Sequence, residues 1–245
     1  EVNGVKLAYY TRGTGKPLVM INGFLSSMSL WDPALLADLE KTHTLVLFDN
    51  RGVGLSSDTV ENSTTIPQMA DDAAALIGAL KLDKPDVLAW SMGARIGQQL
   101  LIRHPDVVNK AVLVSADPGG THNDPATKEV EMDLNNPDVN KWRKIFLTYP
   151  DNAEGKLAAA ETVARLVKAV AEGTIPDDFK VSKETTERQT RARTTLVVST
   201  LRRRKKGRDT VMGVPSRFIA EMKLNEGVAK EDARERLKRV RAELA

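Results

Sequence analysis

Short apolar runs alternate with longer segments of helical period through the first half of the chain, and this alternation restricts the possible folds more than any other feature. Aliphatic residues nearly fill each run, as expected for strands covered on both faces of a sheet. Strands joined through crossover helices are parallel. The predicted strands are 17–21, 44–48, 86–89 and 110–115, and the predicted helices are 65–80 and 94–103.

A polar or glycine-containing turn follows each predicted strand. In chain order the turns read NGF at 22–24, DNRGVGLSS at 49–57, WSMGA at 90–94 and ADPGGTHNDP at 116–125. In an open parallel sheet, the loops that bind ligands gather at the carboxyl ends of the strands. All four turns leave that edge, so the sequence predicts a functional site there.

Ser91 lies between a predicted strand and a predicted helix, with the small residues Ala89 and Gly93 two positions away on either side. This pattern is typical of the nucleophile elbow, a strained turn in which bulky flanking residues would collide with the neighbouring strand and helix. Such a turn presents the serine hydroxyl above the sheet. The backbone N–H of Met92 would then face an oxyanion, and the N–H of Phe24 is the predicted second donor.

With these motifs in this order, residues 1 to about 193 resemble an α/β-hydrolase of the small esterase and perhydrolase-like type. The resemblance rests on GKPLVMINGF, LFDNRGVGLSS, VLAWSMGARIGQQLLIRHP and AVLVSADPGGTH. It implies a three-layer α/β fold with a mostly parallel sheet and a helical cap. It also implies hydrolysis of small carboxylic esters or related acyl compounds, without a cofactor. Two departures are mild: Asn22 stands where the family usually has His, and Ala89 where it usually has Gly.

The general base is harder to place, because the family's usual late histidine is missing and the chain has only His43, His104 and His122. His43 precedes a strand on the opposite edge, and His104 ends the helix after the elbow. His122 lies on a loop at the reactive edge, and Asp117 ends the strand expected beside that of Ser91. A compact triad of these last three residues is one interpretation. The other is that His122 is a solvated loop residue and Asp117 a structural one. We expect weak or absent turnover, because a serine without a base is a poor nucleophile.

Composition excludes several other kinds of site. The chain has no cysteine, which excludes disulfides, thiolate metal sites and cysteine nucleophiles, and no metal site is predicted. No apolar run approaches the roughly 20 residues that span a bilayer, and no secretory leader is recognisable, so we expect a cytoplasmic protein. The chain begins without a methionine, however, so a removed leader is compatible with the sequence. Oligomeric state is not indicated.

Positive charge is concentrated at the end of the chain. Residues 190–245 contain 16 Lys and Arg against seven Asp and Glu, whereas residues 1–189 contain 20 against 26. TRA at 190–192 and PSRF at 215–218 resemble the C-terminal end of Rep-type superfamily 1 DNA helicases, although the chain has no phosphate-binding loop. This resemblance implies a fusion with its junction near 189–193.

Three regions are therefore predicted: an α/β-hydrolase core at 1–122, a helical cap at 123–193 and a basic tail at 194–245. The TTLVVST run at 194–200 is predicted to be a strand that completes the sheet edge. Two alternatives to an esterase stay open. One is a catalytically inactive chimera with a ligand-binding or structural role. The other is nucleic-acid binding through the tail, which is disfavoured because no aromatic side chains lie between the cations of residues 191–208 to stack on bases.

Overall fold

The computed structural model describes residues 1–58, 64–116, 127–136, 145–179, 181–195, 204–206 and 209–211. Its main sheet contains β1 (Tyr9–Arg12), β2 (Lys16–Ile21), β3 (His43–Phe48), β4 (Asp86–Trp90) and β5 (Ala111–Val114). The strand order is β1-β3-β2-β4-β5, in which β1 is antiparallel to β3 and the other pairings are parallel. The predicted α/β class with a mostly parallel sheet is confirmed. The four predicted strands agree with the observed bounds to within one residue at each end. Prediction missed β1 because its residues are exposed or half-buried and form no apolar run.

Several of the helices begin at side-chain caps. The helices are α1 (Pro33–Leu39), α2 (Ile66–Ala79), α3 (Met92–Arg103), α4 (Lys128–Asn135), α5 (Ala153–Ala171) and α6 (Lys183–Thr195), and a 3₁₀ turn covers Met28–Leu30. The Thr65 hydroxyl accepts a hydrogen bond from the Gln68 N–H at 3.2 Å, and the Asn152 side chain accepts one from the Gly155 N–H at 2.7 Å. Both bonds satisfy donors that the first turn of a helix leaves unpaired. None of the helices in the described ranges is long and apolar enough to cross a membrane.

Strand residues alternate between two buried faces of the sheet. One face packs against α2 and α3. The core between them includes Val19, Val46 and Val87 from the sheet and Met69 and Ile96 from the helices. The other face packs against α1. The core between them includes Leu18, Met20, Leu45 and Leu47 from the sheet and Leu36 from the helix. Each fully buried aliphatic side chain contributes roughly 2 kcal/mol to folding. The sheet is therefore the middle layer of three, which holds its carboxyl edge rigidly.

Helix α5 packs against the segment that follows β2. Leu166 and Ala169 are buried in a small cluster that Leu30 joins. Arg165 donates two hydrogen bonds to the carboxylate of Asp32, at 2.9 Å and 2.7 Å. These contacts attach the predicted cap region to the core beside the predicted reactive edge.

Helix α6 changes the prediction for the end of the chain. It continues through Thr195, so residues 194 and 195 are helical and the predicted strand is wrong for them. Adding residues to an existing helix is easy because the nucleation cost has already been met, and this outweighs the β preference of threonine. Residues 196–200 lie outside the described ranges. The chain divides into units 1–198 and 199–245, and the second contains a hairpin of β6 (Arg204–Lys206) and β7 (Asp209–Val211).

Candidate active site

Ser91 forms the tip of the turn between β4 and α3. Its backbone lies at φ 56° and ψ −122°, a strained conformation for a residue with a side chain. The Ser91 N–H donates to the carbonyl of Val114 at 2.9 Å, which ties the tip to the end of β5. The side chain is partly exposed and does not cap the helix that it precedes. The hydroxyl is thus held at the carboxyl edge of the sheet without a capping role.

Small residues beside the turn allow close contact with neighbouring backbone. A Cβ atom built on Gly93 would clash with the carbonyl oxygens of Ile21 and Asn22, the second at 2.5 Å. Ala89 is fully buried, and its Cβ would lie 3.2 Å from one built on Gly97. The first turn of α3 is therefore pressed onto the end of β2. A larger residue at position 93 would have to move backbone.

We expect Gly93→Ala to lower the free energy of unfolding by about 1–3 kcal/mol, since the added methyl group overpacks against carbonyl oxygens that belong to the sheet. Chemical denaturation measures this change. Gly78→Ala is the matched control: Gly78 is in α2, and a Cβ there would meet nothing within 4 Å. That control should gain roughly 0.5–1 kcal/mol from helix propensity. Equal effects at the two sites would contradict the close approach at Gly93.

The loop after β2 lies directly beside Ser91. A Cβ atom on Gly23 would stand 3.1 Å from Cβ of Ser91. Phe24 follows, packed against the core, and Leu25 adopts a left-handed φ of 52°. Met92 is the first residue of α3, where backbone N–H groups have no partner within the helix. Gly23, the residue before Phe24, thus lies against Ser91, and Met92 follows Ser91 directly. The role of the Phe24 and Met92 N–H groups as oxyanion donors stays a prediction.

Two buried carboxyl groups support this loop, and sequence reasoning missed both. Asp49 accepts hydrogen bonds from the N–H groups of Met28 at 2.6 Å and Leu55 at 2.9 Å, and burial raises its pKa to about 7. Asp178 accepts one from the Ser27 hydroxyl at 2.6 Å, and burial raises its pKa as well. Repulsion between the two carboxylates adds to the shift of Asp49. Asp49 directly follows a predicted strand, and this pattern could have indicated its role. Asp178, 129 positions later, has no such local pattern around it.

The raised pKa values of these two carboxyls predict that the folded state loses stability as the pH rises. Between about pH 4, where an unfolded aspartate titrates, and about pH 7, the folded chain holds protons that the unfolded chain has released. The free energy of unfolding should therefore fall through this window. Asp178→Asn keeps an acceptor for Ser27 and removes one negative charge, so we expect a flatter pH dependence and greater stability than the parent at pH 8.

Thermal unfolding at pH 5, 6, 7 and 8 measures this effect. Asp151→Asn is the control, because Asp151 is exposed and its pKa is lowered by a hydrogen bond from Lys156, so it stays charged across the window. If Asp178→Asn left the pH dependence of the unfolding temperature unchanged, this result would contradict the coupling of the two buried carboxyls.

The described histidines lie away from Ser91. His43 is buried at the start of β3, at the opposite edge of the sheet. His104 follows the last residue of α3, about 18 Å along the helix from its first turn, and its Nε2 lies 2.7 Å from a carboxylate oxygen of Asp71. His122 and Asp117 lie outside the described residues, so the predicted compact triad stays a prediction. Within the described ranges, no group of three or more His, Asp or Glu could hold a metal ion.

Comparison with known proteins agrees with the α/β fold. The chain matches the family model described as alpha/beta hydrolase fold over residues 16–198. A Mycobacterium tuberculosis protein provisionally named non-heme bromoperoxidase BpoC is 38% identical over 112 residues, 45% of this chain and 42% of that protein. A Rhizobium rhizogenes protein provisionally named carbamate hydrolase RutD is 30% identical over 116 residues, 47% of this chain and 42% of that protein.

A solved structure of an alpha/beta hydrolase fold protein from Chitinophaga pinensis is also similar. It is 27% identical with a TM-score of 0.65, and the match covers 79% of this chain and 69% of that one. The chain spans about two fifths of the length of the curated relatives named above. The family match ends at residue 198, and the predicted resemblance of the tail to helicases is not supported by these comparisons.

Proposed function

Since the chain belongs to the alpha/beta hydrolase fold family, we propose that it hydrolyses small carboxylic esters or related acyl compounds, with Ser91 as the nucleophile. The observation that carries the proposal is the strained backbone of Ser91, a partly exposed residue at the carboxyl edge of the sheet. Backbone strain of this kind clusters at active sites, where the surrounding structure holds it in place. The name of one relative, a carbamate hydrolase, supports chemistry at an acyl carbon.

In the proposed reaction, the Ser91 hydroxyl oxygen attacks the acyl carbon while a general base removes its proton. The backbone N–H groups of Phe24 and Met92 donate hydrogen bonds to the resulting oxyanion. Collapse of this intermediate expels the alcohol, which takes the proton from the base, and leaves an acyl-enzyme. Water then attacks the acyl carbon by the same route and releases the acid with the free Ser91 hydroxyl.

His122 is the proposed base, and Asp117 is the proposed group that orients it. Val114 accepts the hydrogen bond of the Ser91 N–H, and Asp117 follows Val114 by three residues, a chain length of about 10 Å at most. His122 follows five residues later, which brings it within reach of the same edge. We expect low turnover, because a single short segment must then orient both groups.

His122→Ala tests the base. We expect it to lower kcat/KM for p-nitrophenyl acetate and butyrate by about 10²–10⁴-fold, the usual contribution of a general base. His104→Ala is the control, since His104 is bonded to Asp71 at the far end of α3, and it should hydrolyse both esters like the parent. If His122→Ala matches the parent while Ser91→Ala is inactive, another group acts as the base.

One alternative is a ligand-binding hydrolase fold without catalysis. It is favoured by a single observation, that none of the described histidines lies beside Ser91. It predicts that any ester hydrolysis is the same in the parent and in Ser91→Ala. Nucleic-acid binding by the tail stays the disfavoured alternative.

A further inference from the structure

Helix α6 is fixed against the two loops that border the candidate site. Thr185 donates a hydrogen bond to Asp58 at 2.8 Å, and its hydroxyl would lie 2.6 Å from a Cβ atom on Gly52, so it contacts the loop after β3. One turn later, the Oε1 atom of Gln189 accepts a hydrogen bond from the Leu25 N–H at 3.0 Å, in the loop after β2. The helix therefore reaches the loop that carries Phe24.

Gln189 is fully buried, and its bond to Leu25 fixes the orientation of its amide group. The oxygen must face the Leu25 N–H, because only the oxygen can accept a hydrogen bond. The Nε2 atom on the other side is buried without a hydrogen-bond partner among the described residues. A fold that keeps an unpaired buried donor loses stability by it. Global stability is thus a poor explanation for a glutamine at this position.

The bond holds the peptide group next to the one that carries the Phe24 N–H. The peptide between Phe24 and Leu25 is fixed at both ends, by Gln189 at its N–H and by the Ser26 hydroxyl, which donates to its carbonyl at 3.2 Å. The preceding peptide is fixed at its carbonyl, where Gly23 accepts from the Ser26 N–H at 3.3 Å. Because a peptide is planar and trans, the Phe24 N–H points away from that carbonyl.

Leu25 would not adopt its conformation without support. Its φ of 52° is disfavoured for a residue with a Cβ atom. If the bond from Gln189 were lost, the Phe24–Leu25 peptide could rotate toward a more relaxed conformation, and the neighbouring Phe24 N–H would turn with it. A donor that misses the oxyanion loses most of its effect on the transition state.

We propose that Gln189 is a positioning residue for the oxyanion donor: through the Leu25 N–H it holds the loop after β2 so that the Phe24 N–H faces the acyl group on Ser91. The inference rests on the proposed esterase function. Gln189 itself touches neither the substrate nor Ser91 in this role. It acts on the developing negative charge through one backbone amide.

Gln189→Met tests the proposal, because methionine has a similar length and its thioether sulfur is only a weak acceptor for the Leu25 N–H. We expect kcat for p-nitrophenyl acetate to fall about 10- to 100-fold with KM changed less than about twofold, since the lost interaction belongs to the transition state. Affinity for a boronic acid, which forms a tetrahedral adduct with serine, should fall in parallel. Gln189→Glu keeps an acceptor for Leu25 and should restore most of the activity.

Thr185→Val is the matched control on the same helix. It removes the hydrogen bond to Asp58 but leaves the loop after β2 untouched, so it should lower the unfolding temperature without changing kcat. Hydrogen exchange of the backbone at residues 23–30 gives a readout that does not depend on turnover. We expect faster exchange there in Gln189→Met and parent-like exchange in Thr185→Val.

The outcomes separate this inference from the proposed function. If the parent and Ser91→Ala are equally inactive, the esterase proposal fails, and the exchange experiment still decides whether Gln189 holds the loop. Parent-like kcat and exchange in Gln189→Met would overturn the inference, as would equal effects of the two helix variants. Should Gln189→Met not fold, exchange of the Leu25 amide in the parent decides: protection supports the inference, and exchange at the rate of an open loop overturns it.

Discussion

Ser91→Ala should abolish ester hydrolysis, lowering kcat for p-nitrophenyl acetate by about 10³-fold or more, because no acyl-enzyme can form without the hydroxyl. The fold should be unaffected. The Ser91 side chain caps no helix, and the backbone strain at φ 56° is the same for alanine as for serine. We therefore expect an unchanged unfolding temperature together with the loss of activity.

A fluorophosphonate probe gives an independent measurement of the same prediction. It should modify the parent at Ser91 and leave the alanine variant unmodified, as judged by the mass of the intact chain. Hydrolysis by Ser91→Ala at the parent's rate would disprove the nucleophile. Modification at another residue would show that the reactive nucleophile is not Ser91.

The largest expected effect on stability is that of Arg51→Met, which should lower the free energy of unfolding by about 3–5 kcal/mol. Arg51 and Asp72 are almost fully buried, and two hydrogen bonds of 2.6 Å and 2.8 Å join the guanidinium to the carboxylate. Removing Arg51 leaves the charge of Asp72 buried without its ionic partner, and among the described residues only the neutral side chains of Asn3 and Gln68 still donate to it. Urea denaturation monitored by circular dichroism measures the change.

Arg103→Met is the matched control for this prediction. Arg103 makes the same two-bond contact with Asp71, the neighbour of Asp72 on α2, at 2.9 Å and 2.7 Å, but the arginine side chain is 42% exposed. Solvent weakens such a pair, so its loss should cost less than about 1 kcal/mol. If the two variants unfolded at the same urea concentration, burial would not be the source of the Arg51 effect.

Much of the core could be predicted from the sequence because its signals are local. Each parallel strand is apolar over most of its length, and the elbow depends on small residues within two positions of Ser91. The packing around Gly93 shows the physical reason for that spacing, since backbone oxygens leave no room for a side chain. The cause is a contact with the distant end of β2, but the pattern itself lies in residues close together along the chain, so a single sequence contains it.

The supports of the site could not be predicted, because they depend on contacts between distant parts of the chain. Ser27 and Asp178 are 151 positions apart, and Leu25 and Gln189 are 164 positions apart. Nothing in the spacing around either member of a pair indicates its partner. The same limit explains the misassigned start of the strand at 194, where a β-branched pair continues a helix that the preceding residues had already formed.

The bond between Leu25 and Gln189 has a consequence for how the protein is made. A ribosome synthesises the chain from its amino terminus, and all five strands of the main sheet precede residue 115, so the sheet can assemble while the C-terminal part is still being translated. The left-handed turn at Leu25 must wait about 75 residues longer for the helix that fixes it. A partly made chain would therefore possess the α/β scaffold before the proposed oxyanion donor, the Phe24 N–H, was held in place.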